Sequence, residues 1–163
     1  MAHIEISIPR QCLTFFDDEG GGGKARRYDI STSKNGAGEQ MGSNCTPRGR
    51  HIIRAKIGAG LPVNTVFVRR RPTGEIYVPA LGERFPERDW ILTRILWLSG
   101  CEPGFNRLGV VDTMRRFIYI HGSPDGVDIG SPGSIGCIRM RNEDLLELFD
   151  LTAPGTPVLL LER

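Results

Sequence analysis

Two neighbouring stretches decide the fold of this chain: Arg116-Phe117-Ile118-Tyr119-Ile120-His121-Gly122 and Ser134-Ile135-Gly136-Cys137-Ile138-Arg139-Met140. A short alternating apolar run ends on a histidine, a loop rich in Gly, Pro, Ser and Asp follows, and a cysteine then stands directly after a glycine. His121 and Cys137 are sixteen positions apart, so the loop between them can fold the two side chains together. The pattern predicts a nucleophile and its base.

The residues around the cysteine fit that chemistry. A free thiol is mostly protonated at neutral pH, so a nucleophilic cysteine needs a base or a positive neighbour, which His121 and Arg139 can supply. Gly136 leaves room for a substrate backbone, and the amides of Gly136 and Cys137 could donate to an oxyanion. Two alternatives stay open: a surface or capping His121, and a Cys137 that is a small buried hydrophobe.

Composition is that of one soluble globular domain, residues 1–163. The chain has 25% charged and 39% hydrophobic residues, and its net charge of +2 is too small to indicate nucleic-acid binding. The basic run Arg69-Arg70-Arg71 is more typical of a solvated strand end than of a phosphate track.

Compartment and metal binding can be judged from the same sequence. No stretch approaches the roughly eighteen apolar residues of a membrane span, and residues 1–8 lack the regions of a secretory signal. We therefore expect a cytoplasmic protein, or a periplasmic one if a leader has been removed. The cysteines show neither C-x-x-C pairs nor zinc spacing, which predicts free thiols, no metal and no cofactor: Cys12, Cys45, Cys101 and Cys137.

The many glycines and prolines, 21 and 11, indicate short strands joined by turns. Gly20–Gly23 is predicted to be a loose hairpin loop. We expect one convincing helix, capped by Asn142 directly after the cysteine motif, with Leu145, Leu146, Leu148 and Phe149 on its buried face. The predicted strands are residues 4–8, 13–16, 24–33, 51–57, 66–68, 76–78, 91–98, 116–120 and 157–161. The fold class is therefore mainly β.

Arg94 interrupts Ile91–Leu98, which is the strongest buried-strand pattern in the chain. An arginine in such a run must find a partner, extend to solvent or face a polar cleft. A structural arginine and a cleft-facing, substrate-binding one both stay open.

The signature Ile120-His121-Gly122 with Ser134-x-Gly136-Cys137-x-Arg139 resembles the catalytic motif of the L,D-transpeptidases, the YkuD-like domain family. The turn Thr46-Pro47-Arg48-Gly49 and the segment Gly155-Thr156-Pro157-Val158 are similar to other parts of that family, so the resemblance covers most of the chain. It implies a β-sandwich-like fold of mixed sheets and a single catalytic domain.

The resemblance also implies a function. Cys137 would attack the L-centre carbonyl of the third-position diamino acid in a peptidoglycan stem tetrapeptide and expel D-alanine. His121 would carry the proton, the Gly122 carbonyl would hold the imidazole, and Ser134 and Arg139 would shape the pocket, with Arg139 alternatively a structural ion-pair partner. Peptidoglycan stem peptides or muropeptides are the implied partners, and a carbapenem could acylate the cysteine.

Ile135 departs from the family pattern, in which histidine often stands between the serine and the glycine. The departure bears on substrate binding and acceptor choice. With no leader present, we favour L,D-carboxypeptidase trimming of soluble muropeptides. The alternatives are cross-linking or D-amino-acid exchange by transpeptidation, a binding domain without turnover, and a redox-sensing thiol protein.

Overall fold

The strands of this protein hydrogen-bond into one branched, mixed β-sheet. A computed structural model describes residues 2–17 and 24–163. The strands within these residues are β1 His3–Ser7, β2 Cys12–Asp17, β3 Lys24–Asp29, β4 Gly49–Ile57, β5 Thr65–Val68, β6 Arg71–Ile76, β7 Ile91–Gly100, β8 Tyr119–Gly122, β9 Ile138–Met140 and β10 Pro157–Leu161. The helices are α1 Pro79–Arg84 and α2 Asn142–Leu151, and a 3₁₀ turn spans Gly109–Val111.

The main path of the sheet runs β3-β2-β1-β10-β4-β7-β5-β6, and the branch occurs at β7. Along one edge β7 pairs with β4 and β5, and β8 pairs with it from Leu92 to Trp97. β9 then adds to β8 in parallel. The branch places the two signature stretches side by side, because the first stretch contains β8 and the second contains β9.

The core follows the period-two alternation of the strands. Ile4 and Ile6 of β1 and Val158 and Leu160 of β10 are buried, while their sequence neighbours are partly exposed. The apolar face of α2 packs on β7 and β8 through Leu145, Leu148 and Phe149. In β9, Ile138 and Met140 are buried in the same core, and burial of one strand face fixes the register of a strand.

The expected mainly β fold with a helix after the cysteine motif is confirmed. Two details of that helix differ. Arg141, not Asn142, is the N-cap residue, and Asn142 is the first helical residue, bonded to Thr93 and Asn64. Leu146 is only partly buried. The predicted hairpin loop Gly20–Gly23 lies outside the described residues.

The helix α1 was missed from the sequence, because only Pro79 at its first turn signals it. The neighbouring hairpin also differs from prediction. Its turn is Arg69–Arg70, and residues 71–74, expected as a loop, belong to β6. Neither arginine is a residue type that announces a tight hairpin turn.

Residues 116–118, predicted as a strand, form a turn in which Phe117 has φ 58°. The strand β8 begins only at Tyr119 and continues through His121. The surface position considered for His121 is wrong, because its side chain is fully buried. β8 is a central strand, paired with β7 along one edge and with β9 along the other.

The four cysteines are free. Neither helix in the described part of the chain is long and apolar enough to cross a membrane.

His51, near the start of β4, is a second buried histidine. Its Nδ1 lies 3.0 Å from the Gly49 carbonyl oxygen, to which only a protonated nitrogen can donate, and its Nε2 lies 2.9 Å from Thr113 Oγ1. Burial of the ring lowers the pKa of His51 to about 4. The folded protein therefore holds His51 neutral down to acidic pH.

We predict that acid destabilises the fold partly through His51. The unfolded chain binds a proton near pH 6.5 and the folded chain does not, so stability is complete above pH 6.5 and falls as the pH drops toward 4. The loss is on the order of 3 kcal/mol at the acidic end. Urea unfolding at pH 7.5 and pH 4.5 measures it, and His51→Gln should flatten the difference. An equal pH dependence in the variant would contradict this origin.

Candidate active site

Cys137 and His121 are brought together by the parallel pairing of β8 with β9. His121 pairs with Arg139, and Cys137 stands two residues before Arg139. Cys137 directly precedes β9 and packs against the cluster that contains Tyr119, which stands two residues before His121 on β8 and therefore shares its face. The Tyr119 amide, which precedes His121 by two residues, lies 3.4 Å from Cys137 Sγ.

The cysteine loop is held by its own serine. Ser134 Oγ donates to the Cys137 carbonyl at 2.6 Å and accepts from the Gly136 amide at 3.2 Å. Gly136 has φ 135°, a conformation that favours glycine, and an added Cβ would lie 3.1 Å from Ile118. The glycine is therefore required by the backbone bend that presents the cysteine.

The segment of residues 31–46 is a second support of the cysteine loop. Ser31 and Arg139 exchange two backbone hydrogen bonds at 2.9 and 2.8 Å. The buried Thr46 hydroxyl donates to the Gly136 carbonyl at 2.9 Å and accepts from the Ser33 amide at 3.0 Å. These contacts tie the early Thr-Pro turn to the nucleophile loop ninety residues later.

The tautomer of His121 is set by its neighbour. His121 Nδ1 lies 2.7 Å from the Gly122 carbonyl oxygen, which can only accept, so Nδ1 carries the proton and Nε2 keeps its lone pair. Nε2 is buried and has no partner among the described residues. Gly122 allows this arrangement, because a Cβ there would collide with Asn142 Oδ1 and approach the Leu92 carbonyl to 2.7 Å.

Both members of the pair are neutral at rest. Burial lowers the pKa of His121 below its usual 6.5, and nearby Asp89 opposes this. Burial raises the pKa of the Cys137 thiol to about 12, which the Tyr119 amide opposes. The thiol donates to the Phe117 carbonyl at 3.3 Å. The resting pair is therefore a protonated thiol and a neutral imidazole, and the site holds no thiolate.

A cavity of 410 Å³ opens beside the sulfur. Its lining residues are Asn44, Arg69, Arg70, Asp89, Ile91, Arg116, Phe117, Ile118, Tyr119, Ile135 and Cys137. Such a volume accommodates a short peptide segment or a small ligand.

Four of the five predicted substrate-binding residues lie around Cys137. Ile135 is 51% exposed at the cavity wall. Ser134 and Gly136 form the loop. Arg139 donates to the Gly133 carbonyl and lies 3.2 Å from Asp89, which lines the cavity. Arg139 is therefore a neighbour of the nucleophile that orders the cavity wall through an ion pair.

Arg94 lies elsewhere. It is 9% exposed and donates to the carbonyls of Leu61 and Thr93 at 2.9 and 2.6 Å, with its guanidinium 5.5 Å from the Phe149 ring. It is absent from the lining of the cysteine cavity. This placement agrees with the structural alternative and differs from the cleft-facing one.

One backbone donor is free at the nucleophile. The Gly136 amide, expected to serve an oxyanion, is occupied by Ser134 Oγ. The Cys137 amide makes no hydrogen bond to any described residue. The geometry therefore leaves the amide of Cys137 itself as the available oxyanion donor.

Asp89, Arg69, Arg70 and Arg116 were not predicted as site residues. Arg69 and Arg70 reach the cavity from the turn of the β5–β6 hairpin, and Asp89 reaches it from the segment between α1 and β7, both far from the signature in sequence. The run Arg69-Arg70-Arg71 was visible, but only the three-dimensional placement of the turn brings it to the cysteine.

Comparisons with known protein families, sequences and structures agree on one family. The family model for YkuD, the L,D-transpeptidase catalytic domain, matches residues 1–160. A probable L,D-transpeptidase of Salmonella typhimurium, ErfK/SrfK, is 44% identical over 48 residues, which are 29% of this chain and 16% of that protein.

Solved structures share the fold. L,D-transpeptidase 3 of Mycobacterium tuberculosis aligns with TM-score 0.58 and 15% identity over 99% of this chain and 61% of its own. An L,D-transpeptidase of Mycobacterium smegmatis aligns with TM-score 0.56 and 17% identity over 98% of this chain and 58% of its own. The present chain thus spans less than two thirds of each of these proteins.

We predict that Thr46→Val loosens the cysteine loop. Valine keeps the shape but leaves the Gly136 carbonyl and the Ser33 amide without their partner, which costs roughly 1–3 kcal/mol. Thermal unfolding should show the loss. Thr73→Val, on the exposed hairpin, is the matched control and should leave stability nearly unchanged. Equal stability of Thr46→Val and the native protein would exclude a supporting role for the hydroxyl.

We predict slow, pH-driven alkylation of Cys137 in the absence of substrate. Because burial raises the thiol pKa to about 12, the thiolate fraction at pH 7 is small and grows with pH. The iodoacetamide rate at pH 7, followed by mass at Cys137, should be at least about tenfold below that of N-acetylcysteine. It should still rise between pH 7 and 9. A plateau reached below pH 8 would instead indicate a preformed thiolate–imidazolium pair.

Proposed function

Because the chain belongs to the L,D-transpeptidase catalytic domain family, we propose that it is a cysteine acyl-transferase or hydrolase acting on peptidoglycan stem tetrapeptides. The cleaved bond joins the L-centre of the third-position diamino acid to the terminal D-alanine. One observation carries this proposal. A neutral imidazole, fixed through Nδ1, keeps a buried and unpartnered Nε2 on the face of β8 against which a cysteine that lines an open cavity packs.

Acylation follows from this arrangement. Cys137 Sγ attacks the carbonyl carbon while its proton passes to His121 Nε2. The attack forms the S–C bond and a tetrahedral oxyanion. The free Cys137 amide donates to that oxyanion. The C–N bond then breaks as Nε2 returns the proton to the nitrogen of D-alanine, which leaves a thioester on Cys137.

The imidazolium formed in this step is stabilised locally. Its Nδ1–H already donates to the Gly122 carbonyl at 2.7 Å, and Asp89 raises its pKa. The Gly122 carbonyl thus fills the orienting role that a carboxylate plays in other triads. A carbonyl holds the ring without adding a full buried charge, which keeps the resting imidazole neutral.

We favour hydrolysis of the thioester, that is, L,D-carboxypeptidase trimming of soluble muropeptides. Exposed Ile135 offers no ionisable group beside the sulfur. The chain has three histidines, and besides His121 they are His51, bound to Gly49 and Thr113, and His3, stacked on Phe16. A single histidine therefore has to activate the second nucleophile, which supports water over a protonated amine. The cytoplasmic location expected with this role stays a prediction.

Transpeptidation is the second candidate, favoured by the relatives, which are described as L,D-transpeptidases. In that case an amine of a second stem peptide or a free D-amino acid takes the place of water. The same thioester serves both outcomes, so the choice lies in the acceptor.

We also propose that Cys137 is acylated by carbapenems. Two structural neighbours are described as an L,D-transpeptidase in complex with imipenem and as an L,D-transpeptidase with a faropenem-derived adduct. Cys137 of this chain lies in a cavity that such a ring could enter. A covalent mass shift on Cys137 after incubation with imipenem, absent from Cys137→Ser, is the supporting result.

We predict that the protein releases D-alanine from a disaccharide-tetrapeptide and yields the tripeptide. Mass spectrometry with and without an added D-amino acid separates the outcomes, since an exchanged tetrapeptide means transpeptidation. Cys137→Ser should lower the rate by at least about a thousandfold, because a serine hydroxyl is far less acidic than a thiol.

The control is Cys101→Ser, a partly buried cysteine outside the cavity. It should keep native turnover. No product from the native protein would show a binding domain without turnover, and equal product from Cys137→Ser would exclude the cysteine mechanism.

A further inference from the structure

The β5–β6 hairpin delivers two arginines to the nucleophile through a strained turn. Val68 pairs with Arg71, so Arg69 and Arg70 form a two-residue connection, with φ 51° and 65°. Turns with positive φ at both central positions favour Asn and Gly, because other side chains are disfavoured there. Strained residues of this kind persist where the surrounding structure holds them, often at ligand clamps.

Arg70 is held in place by three aromatic residues. Its Nη1 donates to the Tyr119 hydroxyl at 3.0 Å, and its guanidinium lies 4.6 Å from the Trp97 ring and 4.7 Å from the Phe117 ring. One of its five N–H donors is used in these contacts. The group is therefore oriented in advance and keeps donors for a ligand in the cavity that it lines.

The cavity carries an excess of positive charge. Arg69, Arg70 and Arg116 line it, and none of the three lies within 4.0 Å of a carboxylate in the described part of the chain. Arg116 donates instead to the carbonyls of Gly38 and Cys45. Asp89, the carboxylate in the lining, is 3.2 Å from Arg139. An anion is the ligand that this charge distribution favours.

We propose that the Arg69–Arg70 turn is a carboxylate clamp that selects the acyl donor by its free terminal carboxylate. The inference rests on the proposed function. In a stem tetrapeptide the carboxylate of the leaving D-residue belongs to the same residue as the scissile nitrogen, so it enters the cavity that contains Sγ. Arg70 binds it with the charge of Arg69 in support. A C-terminal amide or an additional residue removes the carboxylate from this position and weakens recognition.

The first test compares a tetrapeptide with its C-terminal carboxamide. The native protein should prefer the acid in kcat/KM by about tenfold, the effect of one charge-assisted hydrogen bond. Arg70→Gln should bring the ratio of acid to amide close to one, and Arg70→Lys should restore part of it. Arg71→Gln, a neighbouring arginine outside the cavity lining, should keep the native ratio. An unchanged ratio in Arg70→Gln overturns the clamp.

The second test does not need peptidase activity. Iodoacetate and iodoacetamide alkylate the same thiolate and differ in charge, so the ratio of their rates at Cys137 reports anion recognition independently of the thiol pKa. The ratio should fall at least about threefold in Arg70→Gln and stay native in Arg71→Gln. A fall in this ratio without any tetrapeptide turnover supports the anion site and overturns the proposed function, and an unchanged ratio overturns the clamp.

Arg69→Asn separates function from folding. Asparagine adopts positive φ more readily than arginine, so the melting temperature should be equal to or above that of the native protein. The acid-to-amide ratio and the iodoacetate-to-iodoacetamide ratio should nevertheless decrease. Native ratios in this folded variant would show that Arg69 plays no part in the clamp.

Discussion

The parallel pairing of β8 with β9 is the contact on which the site depends. It sets His121 opposite Arg139 and brings Cys137, which directly precedes β9, to the face of β8 that Tyr119 and His121 share. Parallel neighbours need a long connection between them, and here that connection has no helix and leads directly into the cysteine loop. The loop is ordered because Ser31, Thr32 and Thr46 hydrogen-bond to its backbone. The His121–Cys137 pair, close in sequence, is thus positioned by segments remote from it.

Burial, more than any single charge, determines the resting state of the pair. It disfavours both the imidazolium of His121 and the thiolate of Cys137. Asp89 raises the pKa of both groups, and Arg139 lowers it. Neutral partners fit a site that meets its substrate before it generates charge. The Arg69–Arg70 turn complements this arrangement. It places positive charge at the cavity wall, where the ligand enters, while the imidazole stays neutral.

Sequence patterns predicted what depends on local chemistry. The alternation of β1 and β10, the helix after the cysteine and the His121–Cys137 pair follow from spacing and residue type. The burial of His121 could not be predicted, because it depends on the central position of β8 in the sheet, which is set by pairing with β7 and β9 and not by the local sequence. The turn at Arg69–Arg70 was not predicted for a different reason. Tertiary contacts of Arg70 hold a backbone conformation that its residue type disfavours. Arg94 shows that an arginine within an apolar run can be held by backbone carbonyls and an aromatic ring.

The position of β10 in the sheet has a kinetic consequence. This strand, formed by residues 157–161, lies between β1 and β4 and joins the β1–β3 meander to the part of the sheet that carries the nucleophile. Ile4 therefore reaches its partner Val158 only after almost the whole described chain has been synthesised. Contacts of such sequence separation slow folding. During translation the meander waits with an open edge, and a chaperone that covers this edge would protect the nascent chain from aggregation.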